Sequence, residues 1–383
     1  MKIKKILLFL VLFLVCFNVK ALDINSKNAI LINLNTDTIV YEKNKDEKVS
    51  IASLQKILTS IVAIENIDNL DEKITFNKSK VSSIESDVYT IGLKDGEEVT
   101  YYDLLEATTL KSAGDAAKYL ALSVSDTEED FAKLVNDKAK EMGLSNTVYK
   151  DSIGLEREGQ YSTASDISKA LEYSLKNEEF KKIFLTSNYK FTDGEFEFSG
   201  PNVLSSELEA PYIKGAKTGY TSKAGLCLAS YIKNGNEEFI LVTLNASKEN
   251  KNQAFLDQKQ IMDYYLNNYK LKKLIRKNDV LTTVKTSFGE EIQILSDEDY
   301  YSYVKKDSKI DYKYKGKTKV NLKNKNGDKL GEYHIYADNN EIYSKELYLN
   351  KKVSFYIPNK IRIVLIVLLS ILLILFFIKR RKK

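Results

Sequence analysis

Four residues, Ser53-Leu54-Gln55-Lys56, set a hydroxyl and an amine three positions apart. On a helix that spacing places both on one face, close enough for the amine to take the hydroxyl proton and make the serine a nucleophile. The same Ser-x-x-Lys spacing recurs at Ser187, Ser230 and Ser302, so spacing alone decides nothing. Position separates the first copy: it opens an amphipathic helix, whose N-terminal partial positive charge favours a developing anion. Lys217-Thr218-Gly219 occurs once. On an edge strand it offers a cation, a hydroxyl donor and a residue without Cβ, against which an extended substrate can lie. Between the two, Ser112-Ala113-Gly114-Asp115 lies on or beside a helix and supplies one more hydroxyl able to pass a proton.

Composition removes the competing chemistries. One histidine, His334, and two cysteines, Cys16 and Cys227, leave no raw material for a histidine-dependent triad or a clustered His/Cys metal site. No metal and no cofactor are expected. His334 reads as a packing or surface residue of a strand, and Cys227 as a small core residue. The formal charge of +5 is concentrated at the ends: four lysines precede residue 22 and the last five residues are basic, which leaves −4 for residues 22–378. A nucleic-acid partner is therefore not expected.

The elements that must position these groups follow from periodicity. Ile30, Ile32 and Leu34, then Ile39 and Tyr41, flank Asn35-Thr36-Asp37 as a β-hairpin. Leu54, Ile57, Leu58, Ile61 and Val62 recur at helical spacing, and Tyr102–Val124 reads as a second helical stretch. Ser125-Asp126-Thr127-Glu128 forms a capping box ahead of Phe131, Leu134 and Val135, with Gly143 as the stop. Leu226–Ile232 and Phe239–Leu244 join through Asn234-Gly235, and Asn252–Tyr269 closes the domain as a helix. Helices among antiparallel strands predict an α/β domain over residues 22–270. Beyond it, short runs at Val280–Val284, Glu291–Leu295, Lys319–Leu322, Glu332–Tyr336 and Glu341–Leu349 predict a small all-β domain over residues 271–355.

Both ends read as membrane signals. Residues 1–21 combine Lys2, Lys4 and Lys5, an apolar core from Ile6 to Phe17, and Val19-Lys20-Ala21, the pattern of an export signal. Ile363–Ile378 is apolar except for Ser370 and rises about 24 Å, short of a hydrocarbon core of roughly 30 Å. Ile361 and a snorkelling Arg362 complete a transmembrane anchor over residues 360–378, and the basic tail 379–383 sets its cytoplasmic side. The body of the chain is then held outside the cell membrane by one C-terminal helix.

In this order and spacing the segments resemble the serine D-Ala-D-Ala carboxypeptidases among the low-molecular-weight penicillin-binding proteins, whose Ser-x-x-Lys and Lys-Thr-Gly set is a known grouping. The resemblance covers residues 27–270. Ile51-Ala52-Ser53-Leu54-Gln55-Lys56 is similar to the family's helix start, and Gly143-Leu144, Asn146-Thr147, Gly154-Leu155 and Gly159–Ala164 to the segment before Asp166. Lys214–Thr221 with Ala224-Gly225 resembles the third motif and its flanks. The fold so implied is that of serine β-lactamases and penicillin-binding proteins, an antiparallel sheet with helices packed on it.

By this resemblance Ser53 attacks the carbonyl between the two terminal D-alanines of a peptidoglycan stem peptide, and penicillins acylate the same hydroxyl. Lys56 is the general base, which requires it to be neutral near pH 7 at a cost of about 4 kcal/mol, supplied by burial and the nearby Lys217 charge. Lys217 and Thr218 hold the substrate carboxylate beside Gly219, the N–H groups of Ser53 and Tyr220 form the oxyanion hole, and Ser112 relays the proton to the leaving D-alanine. One departure stands out: Gly114 occupies the place of the family's second-motif Asn, which implies slower or altered turnover with acylation retained. Asn at 114 is expected to raise D-alanine release without changing the fold. Two other readings remain open: a β-lactamase, with Glu156 or Glu158 driving the water, and a non-catalytic envelope protein that binds stem peptides.

Overall fold

The alternation around Asn35-Thr36-Asp37 closes into a hairpin of β1, Asn28–Asn33, and β2, Thr38–Lys43. A computed structural model of the chain describes residues 22–81, 84–85, 88–192, 196–353 and 359–381. The export-signal reading of residues 1–21 lies outside them, as do the last two residues of the basic tail. Three further strands, β3 (Ile213–Thr221), β4 (Gly225–Asn234) and β5 (Glu237–Ala246), complete an antiparallel sheet of order β2-β1-β5-β4-β3. Its middle is buried on both faces: Ile240, Leu241 and Val242 are all solvent-inaccessible. A continuous apolar run of this kind marks a strand covered on two sides, not one half-exposed. The closing helix, Gln253–Asn268, covers one face and ties itself on through Gln258, whose amide donates to the Leu228 and Leu241 carbonyls at 3.1 and 3.0 Å.

The helix that begins at the Ser-x-x-Lys motif differs from expectation in its surroundings. Ala52–Gln55 is a 3₁₀ turn that runs into α1, Lys56–Asn66, and every residue from Lys56 to Ile64 is buried. It is the central helix and not an amphipathic surface one, because its polar members find partners inside: Thr59 Oγ1 lies 2.7 Å from the Tyr149 hydroxyl and Ser60 Oγ 3.2 Å from Thr109 Oγ1.

Two other helix boundaries move. The stretch expected over Tyr102–Val124 is two helices, α2 (Tyr101–Leu110) and α3 (Gly114–Val124), broken where Ser112 takes a left-handed φ of 61°. α4, Glu128–Glu141, is capped by Thr127, which accepts from the Asp130 N–H at 3.1 Å, whereas Ser125 closes the helix before it. The two-residue shift follows from Thr127-x-x-Asp130 being an equally good cap that leaves Phe131 and Val135 facing the core. Gly143, at φ 74°, stops the helix as its lack of Cβ permits.

A second compact unit begins at Leu266. It contains three small sheets: Tyr269–Ile275 with Tyr300–Lys305; Val280–Thr286 with Glu291–Leu295 and Lys319–Val320; and Ile310–Gly316 with Lys329–Ala337 and Asn340–Tyr348. Its own core includes Val284, Ile292, Ile335 and Leu347. His334 is buried there, with Nδ1 3.1 Å from Glu341 Oε2. Asn359–Arg381 forms a helix of 23 residues whose side chains from Ile363 to Leu369 are exposed. No described helix is both long and apolar enough to cross a membrane by itself, so spanning is not shown.

Candidate active site

Ser53 sits on the 3₁₀ turn, held from two sides by glycines. A Cβ on Gly219 of β3 would lie 3.1 Å from the Ser53 nitrogen, and one on Gly154 would lie 2.5 Å from the Ala52 carbonyl oxygen. Only residues without side chains let strand and loop close on the nucleophile's backbone. Gly154 also takes φ 90°, which a substituted residue adopts only under strain. The turn itself carries Ala52 at φ 48°, a positive value stored at the residue preceding the hydroxyl.

Lys56 follows one turn later and is 1 % exposed. Its Nζ donates to Ser53 Oγ at 3.0 Å and to the Ile153 carbonyl. That carbonyl is held in place by Asp151, whose Oδ1 accepts from the Ile153 and Gly154 N–H groups at 2.9 and 2.5 Å. Gln55 in turn donates to the Asp151 carbonyl, so the loop is fastened to the motif it serves. Burial lowers the Lys56 amine to a pKa of about 7, against the upward pull of Asp151 and Asp115. The amine is thus half neutral near neutral pH, as a general base requires.

Lys217, on β3, is equally buried, with Nζ 3.1 Å from the Thr218 carbonyl. Burial, and the Lys56 charge after it, push its amine well below the ordinary lysine value. Burial is the larger cause at both amines, and the repulsion between the two positive charges is mutual, so each disfavours protonation of the other. An incoming carboxylate would reverse the balance at Lys217, since an opposite charge at contact favours the ammonium form.

A cavity of about 440 Å³ opens over these groups. Ser53, Lys56, Ser112, Thr218, Gly219 and Tyr220 all line it; Lys217 lies beneath and is not a wall residue. Ser112 Oγ is buried and has no hydrogen-bond partner among the described residues, so its hydroxyl is left for whatever enters. Cys227 also lines the cavity, its thiol pushed up to about 12 by burial, which keeps it un-ionised. Among the described residues no carboxylate lines the cavity. Glu156 is occupied elsewhere, accepting from Ser50 Oγ at 2.6 Å and from Thr221 Oγ1, and Glu158 is exposed.

Residues 16–248 match the D-alanyl-D-alanine carboxypeptidase family, peptidase S11. The chain belongs to that family. It is 32 % identical to a D-alanyl-D-alanine carboxypeptidase, DacF, of Bacillus subtilis over 70 % of this chain and 68 % of that one. Its identity to the corresponding DacC of Escherichia coli is 27 %, over 72 % and 70 % of the two chains. Residues 269–354 match the C-terminal domain of penicillin-binding protein 5. The fold is that of the crystal structure of the carboxypeptidase DacD from Francisella tularensis, with a TM-score of 0.73 at 22 % identity over 87 % of this chain and 95 % of that one.

Against this S11 background the second motif carries the main surprise. At Gly114 a Cβ would come within 2.2 Å of Val88 Cγ1, and the Gly114 N–H donates to the Tyr89 carbonyl at 2.8 Å. Asp115 accepts from the Ile91 and Gly92 N–H groups at 3.3 and 3.1 Å, securing the same segment. Val88 therefore occupies the space that a side chain at 114 would need. Introducing Asn at 114 therefore requires Val88 to shift, which bears on the expectation that this substitution leaves the fold unchanged. Sequence reading singled out neither Val88 nor Asp151 and Ile153; Asp151-Ser152-Ile153-Gly154 carries a turn signature, whereas the Val88 contact has no local signal.

Proposed function

We propose that this S11-family chain is a D-alanyl-D-alanine carboxypeptidase that removes the terminal D-alanine of peptidoglycan stem peptides through an acyl-enzyme on Ser53. The 3.0 Å contact between a buried, half-neutral Lys56 amine and Ser53 Oγ carries this reading. Lys56 takes the Ser53 proton as Oγ attacks the carbonyl between the two D-alanines. The N–H groups of Ser53 and Tyr220 stabilise the oxyanion, and Thr218 with Lys217, recharged by the substrate, holds the terminal carboxylate. The Ser112 hydroxyl passes a proton to the departing D-alanine nitrogen. Water then cleaves the ester, the amine at 56 again serving as base. β-Lactams acylate the same hydroxyl.

Residues 22–270 form the catalytic domain in this reading and residues 271–355 the accessory β-domain. Residues 1–21 direct export. The helix over 360–378 anchors the chain in the cell membrane with residues 379–383 on the cytoplasmic side and the catalytic domain outside. Ile361 and Arg362 lengthen the apolar run, the guanidinium reaching the interface on its flexible stem.

Labelled penicillin tests the chemistry. A stable adduct that disappears in Ser53→Ala supports the acylating enzyme. Rapid release of opened label marks a β-lactamase, a reading disfavoured by the lack of a carboxylate among the described cavity walls. No adduct at all reduces the chain to a binding protein.

A further inference from the structure

A second cavity, of about 470 Å³, shares Tyr220 with the first. The two also draw on the same pair of loops: Thr221 and Lys251 wall the first, Ser222, Lys223 and Lys248 the second. Lys27 completes a set of three lysines on the second cavity, and none of its lining residues is acidic. Lys27 is held at the start of β1 by its N–H on the Leu244 carbonyl at 3.1 Å, and the Ser247 N–H donates to Asn25 Oδ1 at 2.6 Å. Lys223 has Glu156 as a loose neighbour, 3.9 Å away, but that carboxylate already accepts from two hydroxyls. Lys27 and Lys248 make no ion pair among the described residues.

The position of this cavity relative to β3 matters more than its charge. Among the described residues β3 ends the sheet and pairs only with β4, which leaves its other edge without a strand partner. A peptide lying antiparallel on that edge with its C-terminal carboxylate at Thr218 runs upstream past Tyr220 toward Ser222 and Lys223. Four strand residues span about 13 Å, the reach of three to four peptide residues.

We propose that the second cavity binds a free carboxylate carried by the stem peptide three positions upstream of its terminal D-alanine. This rests on the carboxypeptidase reading above and adds a specificity site to it. The same chemistry would accept a phosphate from a wall polymer, and the test separates the two sources. Two pentapeptides suit it, L-alanyl-γ-D-glutamyl-L-lysyl-D-alanyl-D-alanine and its counterpart with D-isoglutamine, which differ only in that one carboxylate is an amide.

With the full chain, kcat/KM is expected to be about tenfold higher for the acidic peptide, and the preference to shrink as salt is raised. In the triple variant Lys27→Gln, Lys223→Gln, Lys248→Gln the two peptides become equal, while penicillin acylation of Ser53 is unchanged. Equal rates in the unmodified chain overturn the proposal, as does a triple variant that slows both peptides alike. So does inorganic phosphate that abolishes the preference at concentrations equal to the peptide. Should Ser53 prove unreactive toward peptide and penicillin, the carboxypeptidase reading fails first. Titration of the Ser53→Ala chain with both peptides then decides the site independently: tighter binding of the acidic one sustains it, equal binding ends it.

Discussion

A lysine can serve as base at neutral pH only if its surroundings remove the proton before the reaction starts. Lys56 is buried, and among the described residues the hydrogen-bond acceptor facing it besides Ser53 is a carbonyl, not a carboxylate. Because burial brings the amine down to about 7, the reactive neutral form dominates above that pH and declines below it. Penicillin acylation is therefore expected to lose about tenfold in rate per pH unit below 7 and to level off above 8. A profile flat from pH 5 to 8 would remove Lys56 from the role. Lys56→Gln should slow acylation by about 10²–10⁴-fold while leaving noncovalent binding largely intact. Gly114 yields a second test at the same scale. Gly114→Asn alone should cost about 1–3 kcal/mol of stability, because Val88 must leave its place. Adding Val88→Ala should recover most of that cost, and only in the double variant should D-alanine release rise. If the single and double variants melt at the same temperature, the Val88 contact is not the obstacle.

Helix α2 carries two acids one turn apart, Asp103 and Glu106, and both are buried. Asp103 is fully engaged, closing a capping box with Thr100 and accepting from Tyr189 and Thr192. Glu106 keeps one oxygen without a partner among the described residues, and burial pushes its carboxyl up to about 8. A folded-state pKa above the unfolded one means the proton is held more tightly in the fold. The contribution is present at low pH and is lost as pH rises from about 4.5 through 8. Glu106→Gln should accordingly leave stability at pH 5 nearly unchanged and raise it by about 1–3 kcal/mol at pH 9, read from thermal melts. An equal effect at both pH values would contradict it.

Elements also mark the limits of reading the sequence alone. The two hairpins, the Lys217 strand and the Gly143 stop all have local signatures, and each stands where those signatures place it. The break at Ser112 does not, because a left-handed serine is imposed by packing around the site and not by local propensity. The strand Ile310–Gly316 escaped because its alternation is of tyrosine and lysine, with long stems covering the sheet in place of aliphatic side chains, and Tyr269–Ile275 because paired lysines interrupt its apolar alternation and Leu274-Ile275 are adjacent. Val88 against Gly114 is a contact between distant segments, and no window of sequence contains it.

At the scale of the whole molecule the question is what covers the C-terminal helix. Each of the two compact units has its own buried apolar cluster. Neither cluster includes any residue of the helix Asn359–Arg381, whose leucines and isoleucines are about half exposed along its length. Exposing such a surface to water costs roughly 25 cal/mol per Å² of apolar area, so a run of this kind is stable only against lipid or another apolar surface. Ending the chain at Val353 should therefore move it from the membrane fraction to the soluble one, with penicillin acylation and the melting temperature of the remainder unchanged. Replacing Leu368 and Leu372 by lysine should do the same without shortening the chain, since each charge near the bilayer centre costs about 3 kcal/mol. Retention of either variant by carbonate-washed membranes would mean that the attachment lies elsewhere, and the C-terminal helix would lose its assigned role.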